Sequence, residues 1–296
     1  MAEISAKTVM DLRAKTNAGM MDCKKALAEA GGDMDKAEEI LRKKGITKME
    51  KRTDRISKEG VVQAMLSACG TRGVLLEVNC ETDFVAKNEG WRGFVSEVTA
   101  HALDSAADSV DALLGEAYSR GSGTVDEAVK SKGAETGEVT VLRRFVRFSG
   151  GSSSSVATYL HMGGKIGVMV EVKAGKPESL SAEPFRTLLK DLTMHIAAAN
   201  PEYLQRSEVP EAVVAKEKEI YAASDRLKGK PAAALEGILN GMLNKFYSQV
   251  CLLEQGFIKD PDKSITDLLA ETGKTLGDTL SIERFARFAV GEELKA

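Results

Sequence analysis

An internal repeat constrains this chain more than any other feature. Gly73-Val74-Leu75-Leu76-Glu77-Val78 recurs 94 positions later as Gly167-Val168-Met169-Val170-Glu171-Val172. At the same spacing Val62 aligns with Val156, Met65 with Tyr159, Gly70 with Gly164 and His101 with His195. Each copy reads as strand, glycine-containing turn, strand and then helix, the helices lying near residues 91–103 and 185–198. The predicted fold class is α+β, with a core of two repeated subdomains, each a small antiparallel sheet with helices on one face. His101 and His195 fall at matched helix positions, which favours a structural role for both over a catalytic one.

The flanking segments have other periods. Residues 4–45 read as three short helices. Ser5 caps the first, which turns Val9 and Leu12 inward and stops at Asn17-Ala18-Gly19. The second runs from about Asp22, with Ala26, Leu27 and Ala30 as its stripe, to Gly31-Gly32. Asp33 caps the third, with Ala37, Ile40 and Leu41 inward and Gly45 as its stop. The unit resembles a ubiquitin-associated (UBA-like) fold. Lys48 to Arg55 is charged without apolar periodicity and reads as a solvated linker. Further on, Val213, Ile220 and Leu227 are seven apart, and Leu235, Ile238, Leu239, Met242 and Phe246 follow three-four spacing, with Gly229-Lys230-Pro231 between. That pattern predicts an inserted antiparallel coiled-coil hairpin that projects from the core. Val250-Cys251-Leu252-Leu253 then reads as a strand completing the second subdomain. The predicted division is 1–55 for the helical unit and linker, 56–150 for the first subdomain, 151–206 with 247–296 for the second, and 207–246 for the hairpin.

Composition narrows the function classes. A net charge of −3 and a pI near 5.8 over 296 residues argue against direct binding of nucleic acid, which needs a clustered basic face. No run of apolar residues is long enough to span a membrane, and the first residues lack a signal or transit pattern, so a cytoplasmic protein is expected. The four cysteines include no CxxC pair and read as reduced thiols, mostly buried. The three histidines lack ligand spacing, so neither a metal nor another cofactor is expected. Gly163-Gly164-Lys165 lacks the spacing of a phosphate-binding loop, and no GxGxxG or GxSxG occurs. The chain is not expected to be an enzyme.

One segment stands apart: Glu77-Val78-Asn79-Cys80-Glu81-Thr82-Asp83-Phe84-Val85-Ala86-Lys87-Asn88. The second copy keeps Glu171-Val172 but continues Lys173-Ala174-Gly175-Lys176, with nothing like Thr82-Asp83-Phe84-Val85. A plain turn therefore suffices for the scaffold, and the first copy carries a charge and an aromatic ring on a loop, where binding residues concentrate. The competing reading is that Phe84 folds back on its own helix.

The segment Leu12-Arg13-Ala14-Lys15-Thr16-Asn17-Ala18-Gly19-Met20-Met21-Asp22-Cys23-Lys24-Lys25-Ala26-Leu27 resembles the N-terminal signature of the elongation factor Ts family, and Glu77 to Lys87 resembles its second. His195 to Tyr203, Gln255 to Pro261 and Arg284 to Glu292 are similar to further family segments, in order and nearly end to end. The resemblance implies a guanine-nucleotide exchange factor that binds elongation factor Tu carrying GDP and dislodges magnesium and GDP. It assigns magnesium dislocation to Thr82, Asp83, Phe84 and Val85, Phe84 as a wedge and Asp83 acting behind the metal. It gives partner contacts to Arg13, Met20, Met21, Lys24, His161, Ile258 and Lys259, while Gly137 and Glu138 match a contact loop only weakly. The short segment after Gly291-Glu292 implies that any contact of a longer C-terminal helix is absent or different. The hairpin is left to dimerise two factors, as in a homodimer or 2:2 complex, to touch the GTPase, or both. Two rival classes remain: an adaptor that binds through its N-terminal helices alone, and a hydrolase whose site carries no motif.

Overall fold

Ser5 and Asp33 each start a helix. The Ser5 hydroxyl accepts the Thr8 amide at 3.1 Å, and Asp33 Oδ1 accepts those of Asp35 and Lys36 at 3.1 Å. In the structure of the protein, a computed structural model, residues 4–16, 18–50, 57–222 and 232–294 are described, with the side chains of all but 46–50 and 232–234. The first helices are α1 (Ala6–Thr16), α2 (Met20–Glu29) and α3 (Met34–Glu50), closed around Val9, Leu12, Cys23, Ala26, Leu27 and Ala37. Helix α2 starts two residues earlier than its apolar stripe indicated, so Met20 and Met21 form its first turn.

The first subdomain follows as β1 (Glu59–Leu66), β2 (Arg72–Cys80), α4 (Asp83–Lys87), α5 (Glu89–Asp104), α6 (Val110–Gly115), α7 (Val125–Thr136) and β3 (Val141–Ser149). The second comprises β4 (Ser154–His161), β5 (Ile166–Ala174), α8 (Glu183–Ala199), α9 (Glu211–Ala222), α10 (Ala232–Val250), β6 (Gly256–Phe257), β7 (Asp260–Ser264), α11 (Ile265–Leu276) and β8 (Leu280–Ala289). The main sheets are antiparallel, ordered β1-β2-β3 and β4-β5-β8. Gly45 does not end α3. A Cβ there would lie 2.8 Å from that of Ala134, so the glycine lets α3 pack closely on α7, and Arg42 bonds Ser122 beside it. Residues 48–50 of the expected linker are therefore helical, while 51–55, like the hairpin turn Gly229-Lys230-Pro231, lie outside the described residues.

The repeat extends further than its first register. Thr124 with Glu127 and Ser264 with Asp267 form matching capping boxes that open α7 and α11. Left-handed Gly137 and Gly277 end those helices, and Leu142, Arg144 and Phe145 of β3 match Ile282, Arg284 and Phe285 of β8. Even the irregularity in the central strand recurs, between Glu77 and Val78 and between Glu171 and Val172. The α9–α10 insertion shifts the register of the second copy and hides this half of the repeat. It also corrects the strand expected at Val250 to Leu253. Val250 ends α10, Cys251 makes a single bridge with Tyr203, Leu252–Glu254 is a 3-10 turn, and β8 completes the sheet. A short apolar run does not by itself tell strand from buried turn.

Helix α5 covers the outer face of the first sheet with Trp91, Phe94, Val95 and Val98. Helices α8 and α11 cover that of the second with Phe185, Leu192, Ile265 and Leu269. The inner faces pack on each other through Val62, Leu75, Phe148, Val156 and Met169. Strands β2 and β5 are thus covered on both sides, which is why they are buried along nearly their whole length and carry the apolar runs Val74-Leu75-Leu76 and Val168-Met169-Val170. The two copies meet reciprocally: Val62 N donates to Gly164 O at 2.7 Å, and its counterpart Val156 N to Gly70 O at 2.8 Å. Gly73 receives Val156 and Met169, and Gly167 receives the matching Val62 and Leu75. A Cβ on Gly167 would lie 2.3 Å from Val62 Cγ1. Gly167→Ala should lower stability by about 1–3 kcal/mol through overpacking. Gly241→Ala, on α10 with open space around it, should instead gain about 0.5–1 kcal/mol. Denaturant midpoints of the two variants check this; equal midpoints would remove the packing role given to Gly167.

Candidate functional site

At the end of β2 the chain turns through Glu81 and Thr82 into the single helical turn α4. Thr82 caps it, accepting from the Val85 amide at 3.4 Å, while Ala86 faces the core. The Glu138 carboxylate, next to Gly137, accepts the amides of Glu81 and Thr82 at 3.1 and 3.0 Å and the Thr82 hydroxyl at 2.6 Å. Val139 N in turn donates to Glu81 Oε1 at 2.9 Å. Burial, and next the charge of Glu138, push the Cys80 thiol up to about 12, so it stays a donor to Thr82 O. On this ledge Phe84 is 82% exposed. It does not fold back on its helix. Asp83 pairs with Lys87 at 2.6 Å, and that hydrogen bond holds its carboxyl below the usual range. An ionised carboxylate and a bare aromatic ring thus stand side by side on a fixed turn.

Arg92 of α5 connects this ledge to the second subdomain. Its Nε donates to Ala86 O at 3.0 Å and its Nη2 to Gly163 O in the β4–β5 turn. That turn carries His161, exposed and bonded through Nδ1 to the Tyr159 hydroxyl at 3.0 Å, and Met162, 72% exposed with a left-handed φ of 49°. Lys165, just after it, pairs with Glu59 at 2.5 Å and adds its charge to those lowering Asp83. Of the residues expected at the site, the structure thus gathers Thr82, Asp83, Phe84, Val85 and His161.

The rest lie on two other elements. Arg13 and Lys24 are exposed on α1 and α2, and Met20 and Met21 are 48% and 64% exposed, outside the three-helix core. Ile258 and Lys259 form the tip between β6 and β7. Helix α8 fixes this tip: Asp191 pairs with Lys259 at 2.6 Å, and His195 Nδ1 accepts the Ile258 amide at 3.3 Å. The other nitrogen of His195 donates to Gln255 Oε1 at 3.0 Å, since the Gln255 amide nitrogen already serves Gln249 O. His195 is therefore a buried structural histidine, and Ile258 is displayed, 42% exposed, from its support.

Among the described residues no group of His, Cys, Asp and Glu could hold a metal, and no helix is long and apolar enough to cross a membrane. Residues 81–292 match the family model described as elongation factor TS. A protein named elongation factor Ts from Trichlorobacter lovleyi is 44% identical over 293 residues, 99% of this chain and 94% of that one. The chain belongs to the elongation factor Ts family. Proteins of the same name from Nitratiruptor sp. and Bdellovibrio bacteriovorus are 44% and 43% identical, over 99% and 97% of this chain and 94% and 92% of their own. The matched family region begins at Glu81, directly on the ledge. Sequence reasoning missed Arg92 altogether and gave Glu138 only a weak contact role. The signal for Glu138 was its place after the helix-ending Gly137, matched in the second copy by Asp278 after Gly277.

Burial holds the His195 imidazole below its ordinary pKa. Its neutral form therefore stabilises the fold above about pH 6.5, the unfolded value, and that contribution is lost as pH falls below it towards the lower folded value. Denaturant midpoints measured from pH 7.5 to 5.5 should drop in the wild type and drop less in His195→Gln. Parallel curves would mean that His195 is not the group responsible.

Proposed function

We propose that the chain binds elongation factor Tu carrying GDP and uses the Thr82–Val85 ledge to expel magnesium and nucleotide. Guanine-nucleotide exchange on elongation factor Tu during translation elongation is the function of this chain, as membership of the elongation factor Ts family supports. The observation that carries the residue-level route is Phe84, an aromatic ring left in water on a turn whose backbone is fixed on both sides. A ring so placed is ready to be buried in a partner, and burying it contributes about 1.5–3 kcal/mol. Asp83, ionised beside it, can compete for the groups that hold a metal in place.

The reaction is a coupling of binding equilibria and needs no covalent step. The factor binds best to the GTPase conformation that lacks GDP and magnesium. By linkage, each then weakens the other by the same factor. GTP rebinding expels the factor, which turns over. The ring alone contributes about the ~1–3 kcal/mol usual for such coupling, so a large acceleration also needs loss of the metal.

In this reading Arg13, Met20, Met21 and Lys24 dock the GTPase from a UBA-like unit, methionine suiting an adaptable apolar contact. His161, Ile258 and Lys259 make further contacts. Helices α9 and α10, which pack on each other with no buried residue on α9, belong to a coiled-coil hairpin spanning 207–246 that is available for pairing two factors. In the same reading the units span 1–55, 56–150, and 151–206 with 247–296, and the protein acts in the cytoplasm with no cofactor and no nucleic acid.

The test is GDP release from elongation factor Tu with Asp83→Ala and Phe84→Ala, in magnesium and in excess chelator. Both side chains are exposed enough that melting should be unchanged. Phe84→Ala should weaken the complex by up to about 1.5–3 kcal/mol. Asp83→Ala should slow release in magnesium and approach the wild type in chelator. Wild-type rates for both variants would make the ledge merely structural.

A further inference from the structure

We infer that Glu138 is a positioning residue that fixes the direction in which Asp83 and Phe84 are presented, an inference that rests on the exchange role given to that ledge. A single helical turn cannot hold itself in water, because nucleating a helix is unfavourable and five residues are too few to offset it. Side chains from elsewhere hold it instead. Both oxygens of Glu138 are used, and its three donors belong to Glu81 and Thr82, the two residues leading into α4. With its hydroxyl proton given to Glu138, Thr82 turns a lone pair to the Val85 amide, so Glu138 sets the rotamer that starts the turn. Arg92 takes the other end, at Ala86 O, and ties it to Gly163 O. The ledge is thus clamped in front by the α7–β3 junction and behind by the second subdomain.

The second copy is the control. Asp278 follows Gly277 as Glu138 follows Gly137, and it accepts from Lys176 N at 3.0 Å, Lys176 matching Thr82 in the repeat. Asp278 also takes the Ser179 hydroxyl at 2.7 Å and closes a 3-10 turn over Pro177–Ser181 that displays no aromatic ring. An acid after the left-handed glycine is therefore a feature of the repeat. In the first copy the longer glutamate reaches two amides and a hydroxyl, and the element it fixes is the one carrying Phe84. A clamp of this kind moves the ordering of the ledge from the moment of binding to the moment of folding, where it no longer weakens the complex.

The experiment uses the full chain and elongation factor Tu loaded with fluorescent GDP, with Glu138→Ala, Glu138→Gln, Phe84→Ala and the double variant Phe84→Ala/Glu138→Ala. In Glu138→Ala the release rate at saturating factor should fall roughly fivefold to thirtyfold, the effect of one or two kcal/mol. The half-saturating concentration should rise by no more than it does in Phe84→Ala, because the other docking surfaces remain. Hydrogen exchange should show the Glu81 and Thr82 amides deprotected while β2 and β3 keep their protection. Glu138→Gln, which retains an acceptor for the amides, should recover most of the rate. Because Glu138 acts through the ledge, its loss should cost less on the Phe84→Ala background than in the wild type, the remainder being its effect through Asp83. Three results overturn the inference: wild-type release with those amides deprotected, single effects that multiply in the double variant, or loss of the cooperative melt in Glu138→Ala. An inert Phe84→Ala sinks the exchange role of the ledge and this inference with it, whereas an active Phe84 beside an inert Glu138 sinks only the inference.

Discussion

The packing of the two sheets on each other is the contact on which the rest depends. Each copy presents a glycine, Gly73 or Gly167, to the matching pair of side chains in the other, and each donates the same backbone bond across the junction. Charge follows the same symmetry. Glu77 and Glu171 are buried in the middle of β2 and β5, and Arg144 and Arg284 pair with them at 2.6 and 2.8 Å. Those arginines then cross to the other copy, where Arg144 reaches Ala289 O and the Phe288 ring, and Arg284 reaches Ser149 O and the Phe148 ring. Buried carboxylates are tolerated because they are paired and hydrogen-bonded, and the pairing knits the copies together.

On that symmetric frame the parts given a function in the proposal are departures from symmetry. Strand β2 leads into the ledge and β5 into a closed turn, although both strand ends are capped by an acid after a left-handed glycine. The first copy alone carries Phe84 in water, and the second alone carries the α9–α10 insertion. The frame also holds the ledge and the His161 turn side by side. Val62 joins Gly164, and Arg92 joins Gly163, so the two lie on one rigid junction rather than on separate loops.

Much of this was legible in the residues, for identifiable reasons. The first register of the repeat predicts β1, β2, α5 and their partners β4, β5 and α8 because matched core residues, such as Val62 and Val156 or Leu75 and Met169, meet the same packing in both copies. The second half of the repeat was not legible, since the insertion breaks the spacing before α11 and β8. Gly45 looked like a helix stop because a glycine's use as a helix end is written locally, whereas its use as a contact depends on Ala134, far along the chain. Glu138 was obscure for the same reason, its donors lying more than fifty residues away at Glu81 and Thr82. The ledge itself was found by contrast with the second copy, and Phe84's exposure settles the choice left open between display and folding back.

The central claim is that this chain lowers the affinity of elongation factor Tu for GDP by binding, without consuming anything. The direct measurement is the release of fluorescent GDP from elongation factor Tu in excess unlabelled nucleotide, with the chain at a small fraction of the GTPase concentration. Complete release, much faster than the intrinsic rate and proportional to the amount of chain added, is the expected result. Release at the intrinsic rate by a folded sample, or release that stops after one equivalent of chain, would contradict it.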